Sequence, residues 1–136
     1  MATLKISDLS VGDWVGVRCG TKINAFKVEE IRFSNIIHKY VVLLNNKAYA
    51  LSITELHPIP ITAEILEKNG FVKNGEYNEW STGNWEDIPF IGISLSRPSM
   101  RIKDLGTDIF LDNKVVYVHQ LQHALKLAGV DKEINL

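Results

Sequence analysis

Residues 118–130, VHQLQHALKLAGV, place His119 and His123 four apart. On a helix that spacing sets two imidazoles on one face, one turn apart, where they can share a metal ion. Hydrolysis at such an ion needs a carboxylate beside the first histidine, as general base for the metal-bound water, and a further ligand elsewhere. The position after His119 is Gln120, whose amide cannot take a proton from water. At about 100° per residue, Tyr117, Leu121, Ala124, Leu125 and Ala128 gather on one face, and His119, Gln122, His123 and Lys126 on the other. The spacing predicts a solvent-facing polar stripe at the two histidines, with a weak surface metal site as the alternative. Lys126 beside them disfavours a bound cation.

The remaining groups able to do chemistry are scattered. His38 and His57 flank predicted strands and have no Cys, Asp or His at ligand spacing. The acidic pairs Glu29-Glu30 and Glu86-Asp87 are adjacent residues, which point to opposite faces of a strand and so form no acid–base dyad without distant help. Cys19 is the only cysteine. It can make no internal disulfide or cysteine cluster, and it reads as a small buried hydrophobe late in a strand. No phosphate loop, dinucleotide fingerprint or nucleophile elbow is present. The sequence therefore predicts no catalytic residue and no cofactor. A metal-dependent hydrolase would rest on His119 and His123 alone.

Binding is the better-supported chemistry. In GDWVGVRC, Val15, Val17 and Cys19 alternate with Trp14, Gly16 and Arg18, so Trp14 and Arg18 belong to the outward set if the valines point in. Trp14, Arg18, Tyr40 and Tyr49 are the candidate partner-binding residues, and Trp14 could instead anchor the two halves of the chain. Arg18, Lys22, Lys27 and Arg32 around Trp14 would supply cations and a stacking platform to a nucleic acid. Trp80 and Trp85 bracket the polar loop STGN and read as a small satellite core or a binding edge.

These side chains need a scaffold. Residues 4–60 read as short strands, LSVGDWVGVRC, AFKVEEIRF, KYVVLL, KAYALS and HPIPI, separated by turn signals at Gly20, Ser34-Asn35 and Asn45-Asn46. The second strand loses its alternation at Val28–Ile31, which predicts a β-bulge. KYVVLL is apolar on both faces, so the second half of the chain is expected to pack against it. Residues 61–70 read as a helix capped by Thr62, stapled by Ile61 and Leu66, and closed at Gly70 with Phe71 meeting Leu66. Hairpins are predicted at Asn74-Gly75 and Asp112-Asn113, strands at IPFIGISLS and MRIKD, a loop at STGNWEDIP, and a final helix closed by Gly129. The fold class is α+β, in two parts, 1–60 and 61–136, packed as one unit.

The chain has 46% hydrophobic and 23% charged residues, a balance that folds rather than stays disordered. Residues 1–59 carry seven basic and five acidic side chains, a net of +2, and residues 60–136 carry eight and eleven, a net of −3. Neither half has the strongly basic footprint of sequence-independent nucleic-acid binding. The N-terminus has no apolar signal core and no later run reaches spanning length, so a cytoplasmic location and no membrane partner are expected.

LSVGDWV, the bent second strand, the Asn-Asn turn and the SITEL turn before a short strand resemble an SH3-like barrel over residues 4–60. That resemblance implies contacts through exposed aromatics to proline-rich or methylated peptides, or stacked nucleotides. LSVGDWV, LHPIPITAEILEKNGF and YVHQLQHALKLAGVDKEINL together are similar to small uncharacterised proteins of gut bacteria and their prophages, which implies a mobile-element context and no activity. The reading is a non-catalytic interaction module that binds a protein partner or self-associates, with a nucleic-acid accessory protein as the alternative.

Overall fold

A computed structural model describes residues 4–74, 79–82, 89–104, 107–111 and 117–136. They fall into two compact units, Met1–Ile59 and Pro60–Leu136. Among the described residues the fold is α+β, built from antiparallel sheets and two helices. Among the described residues no helix is long and apolar enough to cross a membrane.

The first unit begins with a 3-10 turn, Ile6–Asp8, and the turn Ser10–Asp13. Gly12 sits in the left-handed region (φ 96°), which glycine enters without a Cβ clash. The buried Asp13 accepts the Ser10 N–H on Oδ2 at 2.8 Å, so its carboxylate latches the turn from inside. Strand β1 (Trp14–Cys19) then turns at Gly20-Thr21 into β2 (Lys22–Lys27), with Trp14 opposite Lys27 and Cys19 opposite Lys22. Gly16 is needed on β1, because a Cβ there would lie 2.6 Å from Ile23 Cγ2.

At Val28–Glu29 the chain changes sheets. Val28 exchanges backbone hydrogen bonds with Gly12 and Asp13, whereas the next residue, Glu29, donates to the Leu43 carbonyl. The predicted bulge is thus a full break. Beyond it β3 (Glu30–Ser34) pairs with β4 (Lys39–Leu44), which pairs with β5 (Tyr49–Leu51). A 3-10 turn, Ile53–Glu55, leads to β6 (Leu56–His57), which returns to β1. The result is two three-stranded sheets, β2-β1-β6 and β3-β4-β5, and no closed barrel ladder among the described residues. Leu4, Leu9, Val15, Val28, Val42, Leu44 and Leu56 form the core. Cys19 corrects the expectation of a buried thiol. It is exposed, because the core ends before the last rung of β1.

The second unit opens with α1 (Ala63–Lys68), whose punctuation follows the sequence closely. Thr62 Oγ1 accepts the Ile65 N–H at 3.2 Å. At the other end the Gly70 N–H donates to Glu67 O and the Phe71 N–H to Leu66 O, the pair of bonds that a left-handed Gly70 permits. A five-stranded antiparallel sheet follows, in the order β11-β10-β9-β8-β7, from β7 (Val72–Asn74), β8 (Glu79–Ser81), β9 (Phe90–Ser94), β10 (Ser99–Asp104) and β11 (Thr107–Leu111). Asn74 pairs with Glu79 as a strand residue, and Gly75 of the expected Asn74-Gly75 turn lies outside the described residues. Sheet alternation puts Trp80, Ile91, Ile93, Met100 and Ile102 on one face, all buried.

The last helix, α2 (Val118–Leu127), buries Val118, Leu121, Ala124 and Leu125 and closes at Gly129, with the Val130 N–H on Leu125 O at 2.8 Å. The tail beyond is docked. Ile134 is buried, and the side-chain amide of Asn69 at the end of α1 pairs with the Asn135 backbone in both directions. The expected turn at Asp112-Asn113, and Trp85, Glu86 and Asp87 of the loop, lie outside the described residues.

Candidate functional site

The helical face first. His119 and His123 are one turn apart on α2, with ring centroids 6.0 Å apart and planes at 80°. His119 is only 4% exposed, which corrects the expected solvent-facing stripe. Its place in the first turn is the reason: the Tyr117 ring stacks on it at 5.9 Å and 11°, and His123 meets it edge-on. Periodicity assigns a face along a helix but does not see what the residue before the helix covers. Gln120 also gains a role. Its Oε1 accepts the Tyr117 N–H at 2.8 Å, closing the helix N-terminus. Among the described residues no group of three His, Cys, Asp or Glu side chains could hold a metal. Among the described residues the pair therefore has no third ligand, and Gln120 supplies no base.

The first unit carries the binding candidates. Val15 points into the core, so alternation sends Trp14, Gly16 and Arg18 to the outer face of β1, opposite Lys27, Ala25 and Ile23 of β2. Lys27 Nζ lies over the Trp14 ring, 5.3 Å from its centroid, within the range of cation–π attraction. Trp14 is half-buried and Arg18 exposed. Tyr49 packs edge to face on Phe26 at 5.5 Å, and Tyr40 on Phe33 at 5.2 Å. The four candidates are thus distributed over separate ring pairs: Trp14 with Arg18 on one outer face, Tyr49 with Phe26, and Tyr40 on the β3–β4 hairpin.

The cations of the nucleic-acid alternative divide as well. Lys27 and Arg18 share the Trp14 face, while Lys22 has the opposite phase on β2. Arg32 lies in the other sheet, paired with Glu30. Glu30 also takes Lys47 Nζ at 3.8 Å, and Glu29 accepts the Lys47 N–H at 3.0 Å. The adjacent glutamates thus hold the turn 45–48, where Asn45, Asn46 and Lys47 all have left-handed φ. They act as structural anchors.

No protein family, curated protein or solved structure matches this chain.

One exposed feature of the first unit does not follow from the turn signals. Ser34-Asn35 signals a turn, and the structure places it at 35–38 between β3 and β4, with Ile36 and Ile37 projecting from it into solvent. Two adjacent isoleucines inside a turn were the available signal, since turns ordinarily carry Gly, Asn, Asp, Pro or Ser.

Proposed function

We propose that the chain is a non-catalytic interaction module with an SH3-like first unit, binding a protein partner or a second copy of itself. The strand order supports the SH3-like reading. One long strand breaks at Val28–Glu29 and serves both sheets, a 3-10 turn precedes the last strand, and Phe26 of β2 meets Tyr49 of β5 where the sheets approach. One observation carries the binding role: seven of the nine exposed large hydrophobic residues among the described ones lie in the first unit. On this reading the chain is a relative of the small proteins of gut bacteria and their prophages and acts in the cytoplasm.

The partner face is the outer surface of β1–β2, with Trp14 as the apolar anchor, Arg18 as the flanking cation and Tyr49 at the neighbouring sheet edge. A tagged chain is used for capture from host lysate with and without nuclease. The expected result is a protein that survives nuclease and is lost with Trp14→Ala or Arg18→Glu. Unchanged capture by both variants would overturn the surface. Trp14, Arg18 and Lys27 on one face also favour the nucleic-acid reading. Oligonucleotide binding that falls steeply with salt would establish it in place of the first.

A further inference from the structure

The β3–β4 hairpin carries apolar side chains past the end of its core. Ile31 and Val42 face each other and pack in the core of the first unit. Two residues outward, in the same phase, Phe33 and Tyr40 are 46% and 50% exposed. Beyond them the four-residue turn 35–38 leaves Ile36 91% and Ile37 52% exposed. Four apolar side chains thus stand in water at a hairpin apex.

Basic side chains reach further up the hairpin than acidic ones. From Ile31 to Thr54 the chain has no Asp or Glu, but it has Arg32, Lys39, Lys47 and His38. The nearest carboxylates, Glu29 and Glu30, sit at the base, where Glu30 pairs with Arg32 and Lys47, so Lys39 and His38 are the basic residues toward the apex. Glu30 is four ladder positions below Ser34, about 13 Å from the last rung. Arg32 lies one rung below the Phe33–Tyr40 pair and Lys39 one rung above it, next to His38 of the turn.

We propose that this apex docks the protein on an anionic lipid bilayer by inserting Ile36 and Ile37 into the headgroup region. The turn reaches about 5–7 Å beyond the Phe33–Tyr40 rung, comparable with the ~5–10 Å depth at which interfacial segments bury apolar side chains. The aromatic pair then lies at the level where amphipathic rings partition, with Tyr40 supplying the polar tip. Lys39 and His38 face the lipid phosphates and carboxylates. An acidic protein would answer the same charge, but it would need walls around an Ile36 side chain that is exposed on all sides. A bilayer needs no complementary shape. None of these residues is on the Trp14 face, so this inference goes beyond the proposed protein contact.

The test is co-sedimentation of the full chain with vesicles of equimolar phosphatidylserine and phosphatidylcholine, and of phosphatidylcholine alone. The chain is expected to bind the anionic vesicles and to release as salt rises. The double variant Ile36→Asp, Ile37→Asp should lower binding by about tenfold or more, with an unchanged melting temperature because both side chains are exposed. Lys39→Glu should weaken binding several-fold, and Trp14→Ala should leave it intact. Failure of the wild type to sediment would overturn the proposal, as would equal binding by the double variant. So would a wild-type dimer dissociated by Ile36→Asp, because a second copy would then cover the apex.

Discussion

Gln120 shows how one residue decides between two readings. In the sequence it is the letter that breaks a metal-hydrolase pattern; in the structure it accepts the Tyr117 N–H and caps α2. Gln120→Ala is expected to lower stability by about 0.5–1.5 kcal/mol, the loss of one hydrogen bond, in urea unfolding. Gln120→Glu should hold stability or raise it by a few tenths of a kcal/mol, since a carboxylate keeps the acceptor and suits a helix N-terminus. Submicromolar zinc binding by that variant would mean that the glutamate leaves the cap. Arg101 and Asp108 supply a pH-dependent prediction. The Arg101 Nε and Nη2 donate to the two Asp108 oxygens at 2.9 and 2.7 Å. Chiefly through that hydrogen bonding, with help from the positive charges of Arg101 and Lys103, the Asp108 carboxyl is held below its ordinary value of 3.8. A depressed folded value means that the pair stabilises above pH 3.8 and that this contribution is lost as pH falls through the lower folded value. Asp108→Asn should therefore be less stable than wild type at neutral pH, with the gap closing in acid; the gap is small because the pair faces solvent.

Among the elements, the helices were the most legible and the strands less so. Both helix ends follow from local rules, because Thr62, Gly70 and Gly129 act through backbone groups at most five residues away. The break between β2 and β3 was visible only as a lost alternation. Whether a chain bulges or changes sheets depends on partners distant in sequence, here Gly12, Asp13 and Leu43. The clasp of α1 on the C-terminal tail left no signal at all: Asn69 donates from Nδ2 to Ile65 O and Asn135 O and accepts the Asn135 N–H, all between 2.7 and 2.8 Å. Asn69→Ala should destabilise the protein by about 2–3 kcal/mol, because three hydrogen bonds are lost at a buried position. Asn69→Asp should be worse, as it sets a carboxylate oxygen against two carbonyls. Denaturant unfolding gives the magnitude, and loss of exchange protection at the Asn135 amide shows that the tail is what was released.

For the whole molecule, the core of the first unit is assembled from residues spread between Leu4 and Leu56. Leu44→Ala is expected to remove about 2–5 kcal/mol through cavity formation. Native-state hydrogen exchange should register the loss in strands β1 to β6, and Leu121→Ala should do the same in α2. The amino-acid sequence by itself determined the α+β class, the strand-rich first half, the helix caps and the outward phase of Trp14 and Arg18. Each of these follows from alternation or from side chains acting on backbone a few residues away. Tertiary structure alone decided that the second strand serves two sheets, that His119 is buried under Tyr117, that Cys19 is exposed, and that Asn69 holds the chain's end. It also decided that Ile36 and Ile37 stand clear of the core. An isoleucine is apolar in any sequence, but whether it is inside or at an apex depends on where the core ends, and contacts distant in sequence set that boundary.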